Sequence, residues 1–252
     1  MTERLVPTET IRTFWQGGVP SNYQLLSFKS FADRGCRVEV FSYDPSVHLP
    51  RWIVRRQAAE VLPPERVLTF LPARGRFVVN VDLFRYALLA KFGGWWIDPD
   101  VVLLADALPG DEIFLAGPDE FGVLSTAAVR FTPQHPVMLI AEEFAAANAA
   151  ATETWQNAAA PYFTALADRH GLSSLCQSAM KAAPVPRSQI AALFDPSRRE
   201  VLAAEIGEGL FLDLHYDIWL EAGMSVTTAP PIGSFLHQLL QRHHIGDERG
   251  TN

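Results

Sequence analysis

The chain has 252 residues, 48% hydrophobic and 19% charged, an ordinary balance for a soluble globular protein long enough to close a full core. Its 21 basic and 28 acidic side chains leave a net charge of -7 with no dense Lys/Arg run, so nucleic acid is not an expected partner. Cys36 and Cys176 lack metal-ligand spacing and read as reduced thiols. There is no apolar run of signal-peptide length at the start, and the alanine-rich stretch 141–160 is broken by Glu142, Glu143, Asn148 and Glu153. No transmembrane segment is expected; a cytoplasmic location is, with peripheral contact at the inner face of the membrane compatible with the sequence.

Residues 11–16 read as a short apolar strand ending in Gly17-Gly18, and 20–33 as a helix closed by Gly35. Residues 37–43 alternate and end at Asp44-Pro45, a second strand with a turn. The spacing then predicts a helix over 50–61, stopped by Pro63-Pro64, and a third strand over 66–71. Strand and helix alternating through short connections predict an α/β fold, a mainly parallel central sheet flanked by helices. Ligands of such sheets bind beyond the carboxyl ends of the strands, which puts Trp15-Gln16-Gly17-Gly18 and Tyr43-Asp44 at the rim or, as plainly, in ordinary turns.

The segment 80–100 carries the chemistry. Asn80 is a good helix N-cap, and Asp82 in the first turn complements the positive helix end. Phe92-Gly93-Gly94 stops the helix, and Trp95-Trp96-Ile97 is a short strand feeding Asp98-Pro99-Asp100. In an extended Asp-Pro-Asp the carboxylates of Asp98 and Asp100 fall on one side, because residues i and i+2 of a strand share a face. Proline restrains its own backbone and that of the residue before it. Two fixed carboxylates suit a hard divalent cation, Mn²⁺ or Mg²⁺, able to bridge diphosphate oxygens. Asp82 and Arg85 share one helix face, as a phosphate- and sugar-binding pair or as a surface ion pair of a few tenths of a kcal/mol.

These residues, Asp82-x-x-Arg85-Tyr86-x-x-Leu89 followed by Phe92-Gly93-Gly94-x-Trp96-x-Asp98-x-Asp100, resemble the sugar-binding region of DXD-containing glycosyltransferases of the family 32 and capsular-polysaccharide type. Phe14-Trp15-Gln16-Gly17-Gly18 resembles the family's opening strand, which meets the nucleoside. Pro133-Gln134-His135-Pro136 resembles its Pro-x-His-Pro turn, and His215 with Trp219 its C-terminal His and Trp. Where the family often has Gly-Pro before its final helices, this chain has Ala160-Pro161.

The resemblance implies a GT-A fold and retaining transfer from a UDP- or GDP-sugar to a glycan, glycolipid or other hydroxyl acceptor. It also implies a bacterial polysaccharide or glycoconjugate setting. The expected catalytic set is Asp82, Arg85, Asp98 and Asp100. Trp15, Gln16, Gly17, Asp82, Arg85 and Asp98 would contact the nucleotide-sugar. Asp100, Asp98 and His215 are the candidate metal ligands, with His215 equally readable as a hydrogen-bonded structural residue.

Residues 1–245 are expected to form one domain, with 1–130 the nucleotide-sugar half and 131–245 the helix-rich acceptor side. Residues 246–252 read as a polar tail, and His243-His244 within 238–252 as solvated and mobile. Asp119, Glu120 and Ser125 fit acceptor contacts or plain loop polarity. Two rival functions are compatible with parts of the pattern. Asp98-x-Asp100 also suits an aspartyl-nucleophile, Mg²⁺-dependent phosphotransferase, and the whole chain suits a catalytically silent nucleotide- or sugar-binding module.

Overall fold

The computed structural model describes residues 9–71, 76–148, 152–221 and 224–246, with side chains described except at 69–71, 76–79, 152–158 and 220–221. In chain order the elements are β1 (Thr10–Phe14), α1 (Asn22–Ala32), β2 (Arg37–Ser42), β3 (Ile53–Gln57), α2 (Pro64–Val67), β4 (Leu68–Leu71) and β5 (Arg76–Val79). Then come α3 (Val81–Phe92), β6 (Gly94–Ile97), β7 (Val101–Leu103), β8 (Phe114–Ala116) and β9 (Ser125–Phe131). The C-terminal part adds α4 (Pro136–Asn148), α5 (Thr152–Arg169), α6 (Ala179–Ala182), α7 (Arg199–Ile206), β10 (Phe211–Asp213), α8 (Tyr216–Glu221) and α9 (Phe235–Arg242).

Six strands form the central sheet in the order β3-β2-β1-β6-β9-β8. The β3-β2, β2-β1 and β1-β6 pairs are parallel, and only β9 runs against its neighbours. Helices on both faces bury it, so the mainly parallel α/β architecture expected from the sequence is the one observed. Two short ladders sit outside the sheet: β4 with β5, and β7 with β10.

Two expectations are corrected. Residues 50–61 are not a helix but contain β3, with a 3₁₀ turn at Ala58–Glu60. Pairing with β2 decides the matter, because Arg56 from this edge strand lies over the Phe41 ring and donates to Glu39. The strand expected over 66–71 exists as β4, but in the outlying hairpin rather than as the third strand of the sheet.

A buried acid ties the sheet's polar side together. Glu39 on β2 is 3% exposed and pairs with Arg12, Arg37 and Arg56. Arg12 also donates to the carbonyl of Gly93 at 3.0 Å, so the same network holds the turn between α3 and β6. A charge this deep is tolerated because several partners share it.

The C-terminal segment is also corrected. Residues 235–242 are a helix, and its Leu236, Leu239 and Leu240 are buried. His243, far from being a solvated tail residue, is 3% exposed, with its Nδ1 2.8 Å from Asp33 Oδ2 at the end of α1. An apolar stripe at helical spacing supplies the packing that a count of polar residues hides. Residues 247–252 lie outside the described residues. Cys36 and Cys176 are free thiols, both half-buried. Among the described residues no helix is long and apolar enough to cross a membrane.

Gly93 caps α3 at φ +60, and a Cβ there would lie 2.4 Å from the Pro133 nitrogen and 2.5 Å from its Cδ. Gly35 has φ +79 but open space around it. Gly93→Ala is therefore expected to destabilise by about 3 kcal/mol or more, and Gly35→Ala by only about 1 kcal/mol. Urea denaturation of the two proteins checks this, and equal losses would remove the close-packing argument.

Candidate functional site

The carboxyl ends of β1, β2 and β6 and the first turn of α3 converge on one edge of the sheet. Asn80 caps α3 as expected, its Oδ1 accepting from the Leu83 N–H at 3.1 Å. That fixes where the first turn begins and sets Asp82 and Arg85 on the side facing β6. Phe84 packs against Phe14 of β1, with ring centroids 4.6 Å apart, and against Trp96 of β6. Trp95 and Trp96 point to opposite faces and are both fully buried.

Arg85 is 5% exposed, and its guanidinium is shared among three oxygen-bearing side chains. Nη2 donates to both oxygens of Asp98, at 2.8 and 3.1 Å, while Nη1 donates to Thr126 Oγ1 at 2.8 Å and to Asp82. Trp96 Nε1 adds a 2.6 Å bond to Asp98 Oδ1. Burial works against the arginine's charge, but the carboxylates of Asp98 and Asp82 outweigh it and keep Arg85 protonated. One terminal nitrogen spans both Asp98 oxygens while the other serves Thr126 and Asp82, a division that the single nitrogen of a lysine would not reproduce.

Asp98-Pro99-Asp100 is a turn and not the extended segment expected. The Val101 N–H donates back to the Asp98 carbonyl at 3.1 Å, and the Asp98 N–H is held by Ala127 of β9. The turn redirects the chain into β7, which pairs antiparallel with β10, so Asp213 lies opposite Val101. The two carboxylates therefore meet different partners. Asp98 turns to Arg85, whereas Asp100 Oδ2 accepts from the Tyr216 N–H at 3.3 Å.

Asp213, which the sequence reading passed over, joins this cluster. Its Oδ1 accepts from the His215 N–H at 3.0 Å and lies 3.4 Å from His215 Nδ1. His215 sits at φ +47, a left-handed conformation that ends β10 and turns its ring back towards Asp213. The available signal was the spacing: Asp213-x-His215 follows a strand end just as Asp98-x-Asp100 does.

Burial pushes the Asp213 carboxyl up to about 7, helped by the charges of Asp98 and Asp217. Burial and the nearby Asp213 and Asp98 push Asp100 well above the carboxylate range, and burial pushes His215 down despite the acids beside it. Among the described residues no Lys or Arg forms a salt bridge with Asp100 or Asp213. These are hard oxygen donors short of positive charge, with an imidazole alongside, and they fit a divalent cation chemically. Among the described residues, no group of three or more His, Cys, Asp or Glu side chains is arranged to hold a metal ion alone. The fit is thus to a cation held by one or two carboxylates and completed by substrate phosphate oxygens, as is usual for Mg²⁺.

The expected nucleotide contacts Trp15, Gln16 and Gly17 lie at the same sheet edge. Trp15 Nε1 donates to the Gly18 carbonyl at 2.8 Å, folding the indole over Gly17. Gln16 Oε1 accepts from the Tyr43 N–H at 3.0 Å, joining the ends of β1 and β2. His135 of the Pro-x-His-Pro turn accepts from the Val137 N–H through Nδ1 and so starts α4, a structural role. Beside Asp213 and His215 opens a trough of about 930 Å³, walled by Leu124, Pro161, Ala183 and Val185. Asp119, Glu120 and Ser125 line it too.

Arg85→Ala leaves Asp98 desolvated and short of its main partner. A loss of about 3–5 kcal/mol in chemical denaturation is expected, with Arg85→Lys falling between it and the parent. A second expectation concerns pH in the absence of metal. With its folded pKa of about 7 above the usual carboxylate value, ionised Asp213 opposes folding above pH 7, and that penalty fades as pH falls towards 4. Asp213→Asn should therefore raise Tm by about 3–6 °C at pH 8 and leave it unchanged near pH 4, read by calorimetry at both pH values.

No family model matches the chain, and no curated protein matches it. Among solved structures it is similar to PaToxG glycosyltransferase, at 11% identity and a TM-score of 0.45, over 92% of this chain and 85% of that one. It is also similar to the glycosyltransferase GlyE of Streptococcus pneumoniae TIGR4, at 10% identity and a TM-score of 0.43. That match covers 96% of this chain and 61% of GlyE, so the chain spans less than two thirds of that protein.

Proposed function

We propose that the chain is a metal-dependent glycosyltransferase of GT-A type, moving a sugar from a UDP- or GDP-linked donor to a hydroxyl acceptor with retention. The observation that carries this reading is the carboxylate cluster, Asp98 on one branch and Asp100 with Asp213 on the other, at the carboxyl end of a parallel sheet. Asp100 and Asp213, with His215 beside them, would hold the cation from the protein side. A bound Mn²⁺ or Mg²⁺ supplies Lewis-acid neutralisation of the diphosphate leaving group.

Asp98, fixed by Arg85 and Trp96, is oriented to accept from a ribose or sugar hydroxyl. Asp82, held by the same guanidinium, lies alongside for a further hydroxyl. Arg85 acts as the positioning residue for both, since its two terminal nitrogens are already committed to them and to Thr126. Trp15 offers its ring to a nucleobase, and Gln16, whose oxygen is engaged by Tyr43, keeps its NH₂ as a base donor. Same-face attack by the acceptor hydroxyl accounts for retention without a covalent sugar–enzyme intermediate.

A thermal-shift screen of UDP- and GDP-sugars with and without Mn²⁺ tests the reading. A donor at about 100 times its Kd should add about 2.7 kcal/mol of stability, only when Mn²⁺ is present. Asp100→Asn should abolish that shift and lower sugar release at least 100-fold. Unaltered donor turnover by this variant would sink the assignment, and Mn²⁺-dependent binding without sugar release from any donor would point to a silent binding module.

A further inference from the structure

The trough beside Asp213 and His215 opens away from the donor side of the site, sharing only those two residues with it. We infer that it seats the acceptor, and that the acceptor is an uncharged hydroxyl compound carrying an apolar body. The inference rests on the glycosyl-transfer reading of the same site and adds the substrate class. At about 930 Å³ the trough is near the upper end for small-ligand sites, with far more room than a single hydroxyl group needs.

Much of the polar lining between Asp119 and Arg187 is spent on the protein itself, which leaves Glu120 at the exposed mouth. Asp119 Oδ1 accepts from the N–H groups of Phe121 at 2.9 Å and Val123 at 3.1 Å. Ser125 Oγ accepts from the Ala127 N–H at 3.2 Å, and Arg187 is paired with Asp217. A polyhydroxylated acceptor buried here would find few partners for its hydroxyls, and each unmade hydrogen bond is costly. An apolar body meets the opposite situation. Phe121 and Met180 line the trough at 70% and 66% exposure, large apolar groups with nothing packed over most of their surface. Methionine in particular moulds itself to irregular apolar ligands.

Charge narrows the class further. Asp119 and Glu120 face the trough against one arginine, Arg187, whose charge Asp217 already balances. An acceptor bearing phosphate or carboxylate would be repelled, whereas a neutral alcohol or phenol would not. Its hydroxyl would lie at the Asp213 and His215 end, where the site cluster begins, with the apolar body running out towards Phe121 and Met180.

The test compares hexan-1-ol, glycerol and hexyl phosphate by saturation-transfer NMR on the full chain, then by sugar transfer in the presence of Mn²⁺ and a donor that is being hydrolysed. Hexan-1-ol should bind at least tenfold more tightly than either comparator and accept sugar. The double variant Phe121→Ser, Met180→Ser, changed only at exposed positions, should weaken hexan-1-ol binding at least fivefold with Tm unchanged. Glycerol or hexyl phosphate binding as well as hexan-1-ol overturns the inference, as does a double variant that binds hexan-1-ol like the parent. Hexan-1-ol binding without transfer while donor hydrolysis continues overturns its role as acceptor but leaves the donor reading intact. If no nucleotide sugar is bound at all, the donor reading fails instead, and the acceptor role falls with it. A dimer that dissociates in the double variant would assign the patch to a second copy and overturn the inference.

Discussion

A guanidinium that is 5% exposed must be answered by acids in fixed places, and Arg85 is answered by Asp82 from its own helix and Asp98 from the neighbouring strand. The pair can form only if α3 crosses the end of β6 at one height. The Gly93 turn, held by Arg12 and closed against Pro133, delivers that height. The aromatic contact of Phe84 with Phe14 and Trp96 presses the same elements together. Remove the ion pair, and the turn after β6 loses the constraint that separates Asp98 from Asp100.

That separation gives the cluster its character. Asp98 is neutralised inside the protein, whereas Asp100 and Asp213 share a desolvated corner without a lysine or arginine in salt-bridge contact among the described residues. Like charges so placed cost stability, the mark of a strained corner rather than of a structural ion pair. The Glu39 network, with its three arginines around one acid, carries the opposite balance within the sheet.

Much of this was legible in the sequence wherever the signal was local. Asn80, the glycine pair and the buried tryptophans each act within a few residues, so the helix, its stop and the strand that follows fall where the pattern puts them. Long-range pairing hid the rest. Nothing in residues 53–57 announces an edge strand, because what makes it one is β2 and the arginine that reaches Glu39. Asp-Pro-Asp reads as extended until β7 has to turn towards β10, a partner far along the chain. Asp213 escaped notice because its neighbour across that ladder is remote in sequence, and His243 because three buried leucines, not its polar neighbours, decide where it lies.

The β7–β10 ladder also bears on how such a chain can be rearranged. It threads a residue from the far end of the sequence into the middle of a cluster begun near residue 98, so the two halves do not divide the site between them. A C-terminal portion exchanged as a cassette would take Asp213 and His215 with it. The loops that wall the trough can therefore vary without breaking the cluster, whereas a junction between halves would cut through it.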